Sequence, residues 1–74
     1  MSLHVKIYVK SDTADEYISA MNAAIRAGMT IEISSPLEGY LTGHVDRSKV
    51  GQILEVESVL DIKVFRVEPP LPQG

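Results

Sequence analysis

Cysteine and tryptophan are absent from this 74-residue chain, and phenylalanine occurs once. Without cysteine there is neither a disulfide framework nor a thiolate metal site. Packing therefore has to stabilise a domain near the lower size limit for unstapled folding, with or without help from a partner subunit. No apolar run exceeds three residues, far short of a membrane-spanning helix or a signal-peptide core. Either the protein works inside the cell, with the cytoplasm as the default expectation, or an export segment lies outside this stretch of sequence. Basic runs are missing too: seven lysines and arginines stand against ten acidic residues, a net charge of −3 spread along the chain. No stripe tracks phosphates, so nucleic acid is not expected as a partner. What is there is a 45% apolar share, enough for a globular core and not a composition that leaves a chain disordered.

From His4 to Lys10 apolar and polar residues alternate, with Val5, Ile7 and Val9 on one side and His4, Lys6, Tyr8 and Lys10 on the other. That is a half-buried strand. Thr13-Ala14-Asp15-Glu16 matches a capping box and opens a helix over roughly 14–27. Its apolar stripe is read as Ile18, Met21 and Ile25, with Ala14, Ala20 and Ala24 easing close approach to a sheet. Gly28 falls where a left-handed C-terminal cap is wanted. A second strand, 29–34, puts Ile31 and Ile33 on one face and Thr30, Glu32 and Ser34 on the other. The turn cluster Ser35-Pro36-Leu37-Glu38-Gly39 leads into a third strand, 40–45, so the two form a hairpin. Asp46 is a good N-cap for a short helix over roughly 47–55, with Val50, Ile53 and Leu54 as its stripe. Gly51 weakens that helix unless close packing requires it. The last strand, 60–67, sets Leu60, Ile62 and Val64 against Lys63, Phe65 and Val67.

The order β-α-β-β-α-β predicts an α+β, ferredoxin-like fold: a four-stranded antiparallel sheet, order 4-1-3-2, with both helices on one face. Residues 1–68 form one domain. Residues 69–74 form an extended proline-rich tail, because proline removes a donor and fixes the backbone. The helix-free face then carries Tyr8, Glu32, Tyr40, Thr42, His44 and Phe65, along with Lys6, Thr30, Lys63 and Val67. Three aromatics make it stickier than a purely solvated surface. An ordinary amphipathic sheet surface and a docking surface both fit it.

No catalytic set stands out. The serines lack a Gly-x-Ser-x-Gly elbow, and no glycine loop cradles a phosphate. The acidic pairs read as caps and solvated positions. His4 and His44 should meet on adjacent strands, but two histidines lack the third and fourth ligands that zinc takes. The expectation is no metal, no cofactor and no enzyme activity. Pro69-Pro70-Leu71-Pro72 fits the loose pattern read by polyproline-binding domains, and also a plain stop after the last strand.

The segment IYVKSDTADEYISAMNAAIRAGMTI resembles the opening of the propeptide-like inhibitors of subtilisin-type serine proteases. There a strand ends in a Lys-polar-Asp turn, a polar helix follows, and a glycine leads into the second strand. Gly39-Tyr40 matches their glycine-aromatic step, and VDRSKVGQILEVESVLDIKVFRVE resembles their closing helix and strand. The resemblance implies that the open sheet face packs on a protease, with Glu32 or Glu38 capping a protease helix. It also implies that the tail, Glu68, Pro69, Pro70, Leu71 and Pro72, lies in the substrate cleft. Prolines 69, 70 and 72 depart from that pattern by removing donors that a cleft-bound strand uses. The expected function is a non-enzymatic inhibitor or folding assistant of such a protease, binding a protein partner. The alternative is a small ferredoxin-like module, similar to ACT-type regulatory domains, that self-associates through the open face or binds a metabolite near Gly28 and Gly39.

Overall fold

In the computed structural model, which describes residues 1–68, β1 (Ser2–Val9) is followed by α1 (Ala14–Arg26), β2 (Thr30–Ser35) and β3 (Tyr40–Asp46). A 3-10 turn over Arg47–Lys49 then leads into α2 (Val50–Leu54) and β4 (Val59–Glu68). Every strand pair is antiparallel, in the order β2-β3-β1-β4, the expected 4-1-3-2 arrangement read from the other edge. Leu3, Val5, Ile7, Val9, Leu41 and Val45 form one core with Tyr17, Ala20 and Ala24 of α1 and Ile53 of α2. Both helices thus cover the same face. Ile7, Leu41, Ile53, Val5 and Val45 are the largest fully buried side chains, each stabilising the fold by about 1.5–3 kcal/mol through burial. Residues Pro69, Pro70, Leu71 and Pro72 lie outside the described residues.

Local chemistry accounts for the helix ends. Thr13 Oγ1 accepts from the Glu16 amide at 3.3 Å while Glu16 Oε1 accepts from the Thr13 amide at 3.0 Å, completing the capping box. At the other end Gly28 has φ +83°. Its amide donates to Ile25 O, and the Met29 amide reaches back to Ala24 O, the paired closure that a left-handed residue makes possible. Asp46 caps the 3-10 turn, accepting from the Ser48 amide at 3.0 Å and from the Ser48 hydroxyl. Those hydrogen bonds lower the Asp46 carboxyl to about 2.

Three expectations about facing need correction. On α1 the buried side chains are Tyr17, Ala20 and Ala24, whereas Ile18 and Ile25 are 51% and 55% exposed. The helix turns its alanines inward because small side chains allow it close to the sheet. Tyr17 is long enough to cross the core edge and still satisfy its hydroxyl. That hydroxyl donates to Tyr40 O (3.1 Å), so Ser34 Oγ, at 2.6 Å, donates to it. On β2 a register shift lies between Ile31, opposite Gly43, and Ile33, opposite Thr42. The extra residue, Glu32, stays unpaired, Ile33 turns to the open face, and Ser34 turns to the helix face opposite Leu41. Two more shifts interrupt β4. Val59, not Leu60, fills the buried place opposite Val9, and Val67 falls opposite buried Leu3, away from the open face.

Only five residues of α2 are α-helical, and on it Ile53 is buried while Leu54 is half exposed. A Cβ added at Gly51 would meet nothing within 4 Å, so packing does not require glycine there. Gly51→Ala is accordingly expected to stabilise the fold by about 1 kcal/mol and raise the thermal midpoint by roughly 4–8 °C. A thermal scan followed by circular dichroism checks it, and an unchanged or lower midpoint would show that α2 is not held as described.

Candidate functional site

The helix-free face is built mainly from alternate residues of β1 and β3, which pair directly: His4 with His44, Lys6 with Thr42, Tyr8 with Tyr40. β2 adds Glu32 and Ile33 on one flank, and β4 adds Lys63 and Phe65 on the other. Tyr8, Glu32, Tyr40, His44 and Phe65 are therefore brought together on one surface as expected. Thr42 shares that face but is only 8% exposed, hemmed in between Lys6 and Ile33 on the neighbouring strands. It supports the surface and does not present one, which corrects its expected place among the partner-contacting residues.

Two sub-regions divide the face. At one end the Lys6 ammonium lies 4.3 Å from the Tyr40 ring centroid and 5.1 Å from that of Tyr8. This placement draws a cation over two aromatic faces. At the other end the imidazoles of His4 and His44 stack with centroids 4.7 Å apart and planes 14° from parallel. Phe65 leans on His4 at 5.3 Å. Glu32 Oε1 stands 3.0 Å from His4 Nε2 and 3.1 Å from His44 Nε2. On its far side His44 Nδ1 lies 2.9 Å from Glu68 Oε1.

Sequence alternation placed the two histidines on neighbouring strands. It did not show that both would aim the same nitrogen at one carboxylate, nor that Glu68 would join from β4. Glu68 was expected in the cleft-bound tail; it is the last residue of β4, and its carboxylate is engaged with His44 and Arg66. Away from this face, a shallow open hollow is lined by Asp15, Glu16, Ser19, Glu57 and Ser58. Its carboxylates make it a poor seat for an anion.

Such a molecule belongs to the ferredoxin-like α+β architecture, with one sheet face covered by helices and the other left open. That architecture hosts many functions and names none. A scan against family models finds no match, and a search of curated proteins finds none either. Among solved structures, the solution structure of the E. coli Tat proofreading chaperone NapD matches with a TM-score of 0.69. The match spans 100% of this chain and 88% of that one at 15% identity, a likeness of fold. It also corrects the expected function. The full-length structural match is a chaperone-type binding module and not a protease inhibitor. The expected alternative, a small ferredoxin-like module, agrees with that fold. Among the described residues no helix is long and apolar enough to cross a membrane.

Proposed function

We propose that this chain is a non-enzymatic binding module of the proofreading-chaperone kind, receiving a peptide segment of a client protein on the open face of its sheet. The observation that carries this reading is the face itself. Tyr8, Tyr40, Phe65 and Ile33 lie on it with no helix over them among the described residues. Aromatic anchors flanked by charged side chains are what a docking surface for an amphipathic segment needs. The fold shared with NapD supports the reading, because that protein is a Tat proofreading chaperone. A metabolite site at the glycines is less well supported. Gly39, at φ +76°, is committed to the turn, where an added Cβ would lie 2.8 Å from Val9 O.

The test is titration of the full chain into a labelled peptide carrying a twin-arginine export signal, the kind of signal Tat denotes. Saturable binding is expected. Phe65→Asp and Tyr8→Asp should each weaken it at least about tenfold, or about 1.4 kcal/mol, while leaving the circular dichroism spectrum unchanged. Absence of binding, or binding indifferent to both variants, would overturn the proposal.

One observation favours a second reading. Among the described residues β4 pairs with β1 alone, and along this ten-residue edge Leu60, Val64, Phe65 and Val67 are 46–65% exposed. A long edge with exposed apolar side chains is a place for a second strand to pair, even though two bulges and the charges of Asp61, Lys63 and Arg66 interrupt this one. Sedimentation of the same samples separates the two: a dimer without peptide that Val64→Lys dissociates assigns the edge to a second copy.

A further inference from the structure

From the cluster at the His4 end of the open face we infer a binding site for a single divalent transition-metal ion of the zinc class. His4 Nε2, His44 Nε2 and a Glu32 carboxylate oxygen would be its ligands. This goes beyond the docking proposal and does not rest on it.

The geometry makes the argument. Two imidazole nitrogens from adjacent strands converge on one point in space, now held by Glu32 Oε1, at 3.0 and 3.1 Å. All three donor atoms lie within 4.8 Å of one another. Zinc accepts histidine nitrogen and carboxylate oxygen at about 2.0–2.2 Å. An ion at that convergence point thus needs a rotation of the half-exposed Glu32 side chain and closure of the imidazoles by roughly an ångström. The backbone places the donors without strain. His4 and His44 are direct cross-strand partners, and the bulge in β2 leaves Glu32 unpaired beside them.

A second, independent feature points the same way. A histidine that ligates a metal through one nitrogen characteristically donates its other N–H to a carboxylate, which fixes the tautomer and raises basicity. Glu68 Oε1 stands 2.9 Å from His44 Nδ1, on the side of the ring opposite the convergence point. With the proton on Nδ1 directed at Glu68, Nε2 of His44 carries the lone pair a metal requires. Metal binding then takes the place of the contacts between Glu32 and the two Nε2 atoms. Glu68 is a positioning residue, not a ligand. Two nitrogens and one oxygen with an open fourth position suit zinc-class ions better than calcium or magnesium, which prefer all-oxygen shells. The fourth position opens onto the solvent side of the sheet, where water or a side chain of a bound partner would complete the set.

The experiment uses the full chain, stripped with a chelator and titrated at near-neutral pH with Co2+ followed by visible absorption. Zn2+ is then used to displace it. One ion per chain with a tetrahedral cobalt spectrum is expected, and saturable binding should be lost in His4→Ala, His44→Ala and Glu32→Gln. Excess chelator should strip the ion again and restore the metal-free spectrum. Glu68→Gln should weaken affinity by about 10–100-fold while the thermal midpoint in chelator stays put. One ion per two chains with the same variant losses would keep the donor set and assign the fourth ligand to a second copy. No stoichiometric binding, or binding that survives loss of both histidines, would overturn the site and leave a carboxylate-bridged imidazole pair.

Discussion

Ile7→Asp is expected to leave a chain with no cooperative unfolding transition and little ordered far-ultraviolet circular dichroism. Ile7 is 0% exposed and lies on β1 between Leu41 of β3 and Ile62 of β4, facing the helices. The substitution removes about 3 kcal/mol of apolar burial. It also puts a carboxyl where the neighbours are apolar, adding a desolvation penalty of several kcal/mol whether the group stays charged or takes up a proton. A domain of this size has only about 4–11 kcal/mol of stability in total. Ile7→Val serves as control, with an expected loss of about 0.5–1.5 kcal/mol. A urea titration of the three proteins checks the series, and a folded Ile7→Asp would mean that the β1 register is wrong.

Gly43→Ala should cost about 3 kcal/mol or more and lower the thermal midpoint by roughly 12–24 °C, though alanine is normally a mild change in a strand. The reason is local crowding. A Cβ built on Gly43 would fall 2.0 Å from Thr30 O and 3.0 Å from both Ile31 Cα and Met29 Cε. The methionine tip can move; the β2 backbone cannot without breaking its ladder to β3. Overpacking against main chain has no cheap relaxation. A thermal scan decides the matter: a fall of only a few degrees would show that β2 and β3 lie further apart than described.

These two positions differ in how visible they were in the sequence. Ile7 could be assigned to the core from alternation alone, because Val5, Ile7 and Val9 recur every second residue in an uninterrupted strand. Nothing local marks Gly43 as crowded, since the clash involves β2, about a dozen residues earlier in the chain. Tyr17 and Ile18 show the same limit on a helix. The two are adjacent, and a stripe through either has helical spacing. The choice depended on which side chain could lie against a sheet and still satisfy its polar end. Bulges add a further one. An inserted residue flips the facing of all that follow, so alternation read through Glu32, Leu60 or Phe65 misplaced Ile33, Leu60 and Val67.

For this protein, then, the amino-acid sequence by itself determined the element order, the fold class, the capping box at Thr13, the left-handed closure at Gly28 and the buried side of β1. All of these depend on interactions within a few residues along the chain or on a regular period. Tertiary structure alone decided which helix face is buried, where the strands slip register, and that His4, His44, Glu32 and Glu68 meet on the open face. That meeting joins residues from all four strands. Its geometry follows from pairing and bulges between segments far apart in the chain, which no local pattern encodes.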